Sequence, residues 1–368
     1  MNKSKVLCVG VGQCGNNIVS EMLKKDKRYT GLFINSNYTD LEGLYGIEPN
    51  NNNVVIFNGL NGSGKDRKIA KRYLQNQLEI VVDAIMNYPT RNIINVFCSC
   101  DGGTGSGTVP ALIALLKRLP NKTINLIATL PNYETANLLS LENALDFWND
   151  IFQEQTTKSG MKYKVEDYLN DIKFIDNSKF GGSYSKINKA VVDAIDTAYS
   201  IVGKDIDGNI DVADSQKVNL FKGFSNVLLL QPNLDIEEAI RRASNESVFI
   251  STMDSKCIYA AISCQRSYDK NKILSHLKVE VESFSTYNDK FNVIVQAGLK
   301  PTPMYAIERI SKRRETLLNQ IKQVEYDTVK TINYSKDENE TIEVVDEPLS
   351  ITDIDSLIES LDDIFWWK

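Results

Sequence analysis

Histidine is almost missing from this 368-residue chain, with His276 the only one. That leaves no Cys/His cluster for zinc and weighs against Ser-His or Cys-His nucleophilic catalysis. The six cysteines, Cys8, Cys14, Cys98, Cys100, Cys257 and Cys264, show no CxxC spacing. Several sit in apolar runs that read as buried strands, so they read as reduced core thiols. Long hydrophobic runs are lacking too: stretches such as 111–116 reach about six residues, against the roughly 20 that span a bilayer. Behind Lys3 and Lys5 the apolar stretch is ended by Gln13, Asn16 and Asn17 before a secretory signal forms. The expectation is a cytoplasmic protein without direct membrane contact, whose chemistry rests on carboxylates, backbone amides or a hard metal ion.

What is present suits a folded protein of two or three domains, with 42% hydrophobic and 24% charged residues. The net charge of −6 is unevenly placed. From Tyr334 onward there are eleven Asp and Glu against two Lys, a charge of −9, which leaves +3 on residues 1–333. The acid is in the tail, and neither part argues strongly for or against nucleic acid.

Short β-branched runs at 5–9, 31–35, 54–57, 93–98, 124–130 and 172–176 alternate with helical periodicity at 16–25, 66–88, 108–118 and 138–155. This is the pattern of a parallel α/β sheet. A long helix is predicted over 185–202, followed by a polar Gly/Asn/Asp segment over 203–214. Strands at 227–230, 257–263 and 291–295, with helices at 235–245 and 271–280, read as a smaller second α/β unit. Pro301 and Pro303 introduce a long helix over 304–330, with Ile307, Ile310, Leu317, Leu318 and Ile321 at helical spacing. Near the end, Ile354, Leu357, Ile358, Leu361 and Phe365 fall on one helical face, and Thr352 with Asp355 has capping-box spacing. The division expected is 1–184, 185–214, 215–302, 303–332 and an acidic tail over 333–368.

Three glycine-rich loops each follow a predicted strand and open a predicted helix. Gly10-Val11-Gly12-Gln13-Cys14-Gly15 fits GxGxxG, but Asn35, Ser36 and Asn37 stand where a dinucleotide fingerprint needs an acid, and Asp40 is the nearest. Residues 59–66 spell GLNGSGKD, with Gly62 at their centre and Asp66 where a Walker A box needs Ser or Thr. The third loop, Asp101-Gly102-Gly103-Thr104-Gly105-Ser106-Gly107-Thr108, lets amides turn inward at a helix N-terminus, an anion cradle. A single such loop also reads as a tight turn. Three at the carboxyl edge of one parallel sheet suit a triphosphate, whereas a nicotinamide-dependent oxidoreductase needs only the first.

These loops resemble those of a known family. Gly12-Gln13-Cys14-Gly15-Asn16-Asn17 is similar to the first nucleotide loop of tubulin, and Gly102-Gly103-Thr104-Gly105-Ser106-Gly107 to the glycine signature shared by tubulins and the bacterial division protein FtsZ. Asn209-Ile210-Asp211-Val212-Ala213-Asp214 resembles the loop that completes a neighbour's active site in that superfamily. The resemblance implies a parallel-sheet domain binding GTP or GDP with magnesium, a long central helix, a smaller C-terminal α/β domain, and assembly into filaments. By position it implies that Gly12, Gln13, Gly102, Gly103, Thr104, Gly105 and Ser106 hold phosphates, with Cys14 and Gly62 also in the nucleotide site. It implies ribose or guanine contacts for Asn17, Glu134, Asn177 and Asn188, and a catalytic role for Asp211 and Asp214. No dedicated protein ligand set for a metal is implied.

The residues on their own also allow Asp207-Gly208-Asn209 as a solvated hairpin or a calcium-like loop, although no glutamate stands at the twelfth position of an EF-hand. Against the division proteins, Pro131-Asn132-Tyr133-Glu134 has no Arg after it until Arg241, and Asp101 replaces a small residue. The tail lacks the short basic and apolar recognition peptide of those proteins. A long helix with an acidic end is similar instead to the TubZ group, tubulin-like GTPases that segregate plasmid and phage DNA. That resemblance implies a head-to-tail homopolymer and a DNA-bound TubR-like adaptor protein, with direct DNA contact not expected. A division-ring GTPase is the alternative, and the oxidoreductase a remote one.

Overall fold

Strand β1 (Val6–Val11) is buried at every position, as befits a continuous apolar run inside a parallel sheet. Beyond it lie β2 (Thr30–Asn35) and β3 (Val54–Ile56), and on its other side β4 (Ile93–Ser99) and β5 (Thr123–Leu130). Val9 pairs with Leu32 on one side and Val96 on the other, all parallel. A short hairpin, β6 (Gln155–Thr156) and β7 (Lys162–Tyr163), precedes β8 (Asp171–Asp176), which extends the array beside β5. A second hairpin, β9 (Gly203–Asp205) with β10 (Gly208–Ile210), leads to β11 (Gly223–Leu229). Strands β12 (Lys256–Cys264), β13 (Lys278–Tyr287) and β14 (Val293–Ala297) complete a ten-stranded mixed sheet ordered β13-β12-β14-β11-β8-β5-β4-β1-β2-β3. Only β14 runs antiparallel to its neighbours, and β11 meets β8 through just two residue pairs. The computed structural model describes residues 1–323 apart from 49, 58, 60, 61, 157–159, 161, 252–254 and 301–303. The acidic segment and amphipathic end expected over 333–368 lie outside the described residues.

Helices cover both faces. α1 (Gly12–Lys25) follows β1 directly; α2 (Arg67–Asn76), α3 (Leu78–Met86), α4 (Thr104–Leu116) and α5 (Leu138–Phe152) follow in the chain. α6 (Tyr184–Ala198) is the long helix predicted before the second unit; α7 (Val212–Asn219), α8 (Ile236–Glu246), α9 (Lys270–Ser275) and α10 (Met304–Gln323) complete the set. One core layer gathers Ile18, Val19 and Met22 of α1 with Ile187, Val191 and Ile195 of α6. The other gathers Leu74, Val81, Leu112, Leu116, Phe147 and Ile310 from α2, α3, α4, α5 and α10. Among the described residues no helix is long and apolar enough to cross a membrane.

Several expected elements change. The helix read over 66–88 breaks at Gln77, whose non-helical backbone separates α2 from α3. The helix read over 271–280 stops at Ser275, and Lys278-Val279-Glu280-Val281-Glu282 is the start of edge strand β13, its period-two alternation outweighing the helical spacing before it. The polar segment 203–214 holds the β9–β10 hairpin and the start of α7. Helices α1 and α4 each begin four residues before the expected position, because their first turns are the glycine loops themselves.

Candidate functional site

In the sheet order, the connections from β1 and from β4 leave in opposite directions, so the carboxyl ends of these two strands frame a crevice. Gly12 begins α1 with φ +73, a left-handed value that a side chain would strain. A Cβ there would stand 3.2 Å from the Gly105 nitrogen, so the first turns of α1 and α4 touch backbone to backbone. Neither helix has a side-chain cap: Val11 and Gly103 stand at the N-cap positions without one. By contrast Asp66, Asn137, Asp211, Asp235 and Asp269 cap α2, α5, α7, α8 and α9. Two converging helix ends whose amides no side chain fills make an anion cradle.

The cleft has a volume of about 490 Å3. It brings together Gly12, Gln13, Cys14, Asn17, Gly62, Gly102, Gly103, Thr104, Gly105, Asn177 and Asn188 of the expected residues. Ser106 and Glu134 are not among its walls. Ser106 is fully buried with its hydroxyl donating to the Gly102 carbonyl, and the Glu134 amide closes a turn onto Asn132 Oδ1 at 3.1 Å. The thiol of Cys14 is pushed up to about 11 by burial, despite a contact with the Thr129 hydroxyl, so it is protonated at neutral pH and inert as a nucleophile.

The cleft adds residues that sequence reasoning did not assign, Asn35, Ser36, Asn37, Asp40, Ser63, Gly64, Lys65, Ser99 and Tyr184, and it takes in Asp101, the extra charge noted on the third loop. The Thr104 hydroxyl ties three loops, lying 2.7 Å from Ser36 Oγ and donating to Ser63 Oγ at 3.3 Å. Asp66, the residue that spoils the Walker A pattern, caps α2 by accepting from the Lys68 and Ile69 amides. The second loop is therefore a wall of the shared cleft, and its last residue faces a helix end. Tyr184 opens α6 and is 69% exposed, a flat aromatic surface at the rim beside Asn188. It stands just before the helix predicted over 185–202, and no sequence signal marked it. The cleft thus has an amide-rich anion end and an end of Asn17, Asn177, Asn188 and Tyr184. Side-chain amides both donate and accept, as a nucleobase edge requires, and a phenol ring offers stacking.

Among the described residues its walls include one lysine, Lys65, whose ammonium donates to Ser140 Oγ at 2.7 Å, and two carboxylates, Asp40 and Asp101. Among the described residues no group of three or more His, Cys, Asp or Glu is clustered for a metal. Magnesium, which takes one or two carboxylates and completes its shell with phosphates and water, fits such a wall.

Asp211 and Asp214 lie elsewhere. They form a reciprocal capping box at the start of α7: the Asp214 amide donates to Asp211 Oδ1 at 2.8 Å, and the Asp211 amide to Asp214 Oδ2 at 3.0 Å. Asp211 is exposed and Asp214 partly so. The Met1 nitrogen donates to Ser215 Oγ at 3.0 Å and to the Tyr199 carbonyl at 2.8 Å. Met1 precedes β1, whereas the cleft lies beyond the far end of β1. Helix α6 runs between the two places, with Tyr184 and Asn188 at the cleft and Tyr199 beside Met1. At 1.5 Å per residue its 15 residues separate them by roughly 20 Å.

Residues 5–157 match the model of the tubulin/FtsZ family GTPase domain. The tubulin-like protein TubZ of a Clostridium botulinum C phage is 28% identical over 356 residues, which cover 96% of this chain and 91% of that protein. Among solved structures, Clostridium botulinum phage c-st TubZ lacking its C-terminal tail aligns with a TM-score of 0.76 and 25% identity, covering 87% of this chain and 100% of that one. A GTPγS-form protofilament of Bacillus thuringiensis serovar israelensis TubZ shares the fold, with a TM-score of 0.69 at 14% identity, covering 87% and 93% of the two chains.

Proposed function

We propose, from the match of residues 5–157 to the tubulin/FtsZ family GTPase domain, that the chain is a GTPase that assembles head to tail into filaments. GTP occupies the cleft, with its phosphates on the Gly12–Cys14 and Gly102–Gly105 amides and its base beside Asn17, Asn177, Asn188 and Tyr184. Magnesium, when bound at Asp40 or Asp101, supplies positive charge to the β- and γ-phosphates. Asp211 and Asp214 of the next subunit orient the attacking water, since phosphoryl transfer is catalysed chiefly by positioning and charge neutralisation.

The observation that carries this reading is the separation of the two halves of the site by the length of α6, so that no single chain brings its acidic pair to its own cleft. Each capping-box carboxylate spends one oxygen on a backbone amide, while Asp211 is exposed and Asp214 partly so. The Bacillus thuringiensis protein of the same fold is described as a GTPγS-form protofilament, which supports assembly into filaments as part of this reading. The assignment of residues 1–184, 185–214 and 215–302 to a nucleotide domain, a central helix with acidic loop, and a second domain belongs to the same proposal.

The similarity to a phage TubZ over nearly the whole chain favours a cytoplasmic role in plasmid or phage DNA segregation, with a DNA-bound adaptor as the partner rather than DNA itself. Centrifugation tests the assembly directly. With GTP and magnesium the protein is expected to pellet, and with GDP or NADH to stay in the supernatant. No pellet with any nucleotide would remove the filament.

A further inference from the structure

Pro110 lies inside α4, six positions after its first residue. A proline has no amide hydrogen, so the carbonyl four residues earlier, that of Ser106, loses the helical donor it would otherwise have. Ser106 is fully buried, and an unpaired buried carbonyl is costly. In this structure the missing donor is replaced from another segment: Arg67 Nη2 donates to the Ser106 carbonyl at 3.0 Å. The guanidinium is itself held by carboxylates of α5, with Nη2 on Asp150 and Nη1 3.3 Å from Asp146. Its Nε is buried without a partner, so the Nη contacts to Ser106, Asp150 and Asp146 set its position.

Arg67 is the first residue of α2, immediately after the Gly62–Lys65 wall of the cleft. The two segments are in close contact. A Cβ on Gly107 would collide with the Arg67 carbonyl oxygen, and one on Gly103 would lie 2.8 Å from the Lys65 backbone. Asn143 of α5 closes the junction from the far side, donating to the Lys65 carbonyl at 2.9 Å and to that of Asp101 at 3.2 Å.

We propose that Arg67 is a positioning residue that completes the proline-broken first turn of α4, and thereby holds the phosphate-binding amides of the glycine loop in register with the 62–65 loop. Arg67 does not touch the nucleotide; it acts through Ser106. This rests on the cleft being the guanine nucleotide site.

The helix's own chemistry supplies the test. Pro110→Ala returns an amide hydrogen to the Ser106 carbonyl and makes the arginine dispensable. Affinity for a fluorescent GDP analogue is measured on full-length protein below its assembly concentration, for Arg67→Met, Pro110→Ala and the double variant. Loss of a charged donor to a buried carbonyl is expected to weaken binding about tenfold in Arg67→Met. Pro110→Ala alone is expected within about twofold of the parent, and the double variant to recover to within about threefold. Hydrogen exchange of the nucleotide-free protein provides a second readout: amides over 104–109 should exchange faster in Arg67→Met and return to parental protection in the double variant. An equal loss in affinity from Arg67→Met with and without the Pro110→Ala substitution would overturn the proposal, as would parental exchange in the single variant. If the parent protein binds no guanine nucleotide, the site reading fails instead, while the exchange measurement still tests the arginine.

Discussion

Asp211→Asn and Asp214→Asn are each expected to lower GTP turnover by on the order of 100-fold or more, while nucleotide affinity in the monomer stays within about twofold. Asparagine is the informative replacement. These two residues cap α7 through their carboxylate oxygens, and alanine would add a loss of about 1 kcal/mol of helix stability to any catalytic effect. Asparagine keeps a cap acceptor at position 211 and removes the charge that orients water. The filaments formed should be longer-lived, since the GTP in them is not consumed. Steady-state phosphate release, nucleotide binding and light scattering report the three quantities separately. A fall in monomer affinity as large as the fall in turnover would mean that the pair serves its own cleft, against the roughly 20 Å that α6 sets between them.

Gly105→Val is expected to reduce nucleotide retention by on the order of 10- to 100-fold, the effect of overpacking a tight backbone junction. Even the first carbon of a side chain there would stand 3.0 Å from the Val11 carbonyl, 3.1 Å from Cys98 Cβ and 3.2 Å from the Ser99 carbonyl. It would push the start of α4 away from the ends of β1 and β4 and open the cradle. Gly102→Ala is the complement. Nothing lies within 4 Å of a Cβ at that position, so the melting temperature should not change. The added methyl enters the space assigned to phosphate, so affinity should still fall. Parental affinity in Gly102→Ala would move the phosphate away from the third loop.

The sequence carried much of this site because its chemistry is local. A glycine loop between a β-branched run and a helix marks the carboxyl edge of a parallel strand wherever it occurs, and all three loops do border one cleft. Helix starts were read late for the same reason. Gly12, Gly105 and Gly107 count as helix breakers in a propensity sense, yet in the structure they are first-turn residues, kept small by Gly105, Val11 and Arg67 pressed against them. Ser36 and Tyr184 were not legible, because only folding brings a β2 end and an α6 start to one place. The Arg67 contact to Ser106 spans 39 positions in sequence and answers a proline whose effect is otherwise read as local. Strand β13 was misread because Leu274 and Leu277 extend a helical spacing up to its border and hide the alternation that begins at Lys278.

The dependence of turnover on protein concentration tests the central claim most directly. Phosphate release per chain is measured on the unmodified protein, with saturating GTP and magnesium, from well above to well below the concentration at which it sediments. A site completed by two chains predicts that the rate per chain falls on dilution to a few per cent or less of its plateau, in step with the loss of polymer. A rate per chain that stays constant as the polymer disappears would contradict it.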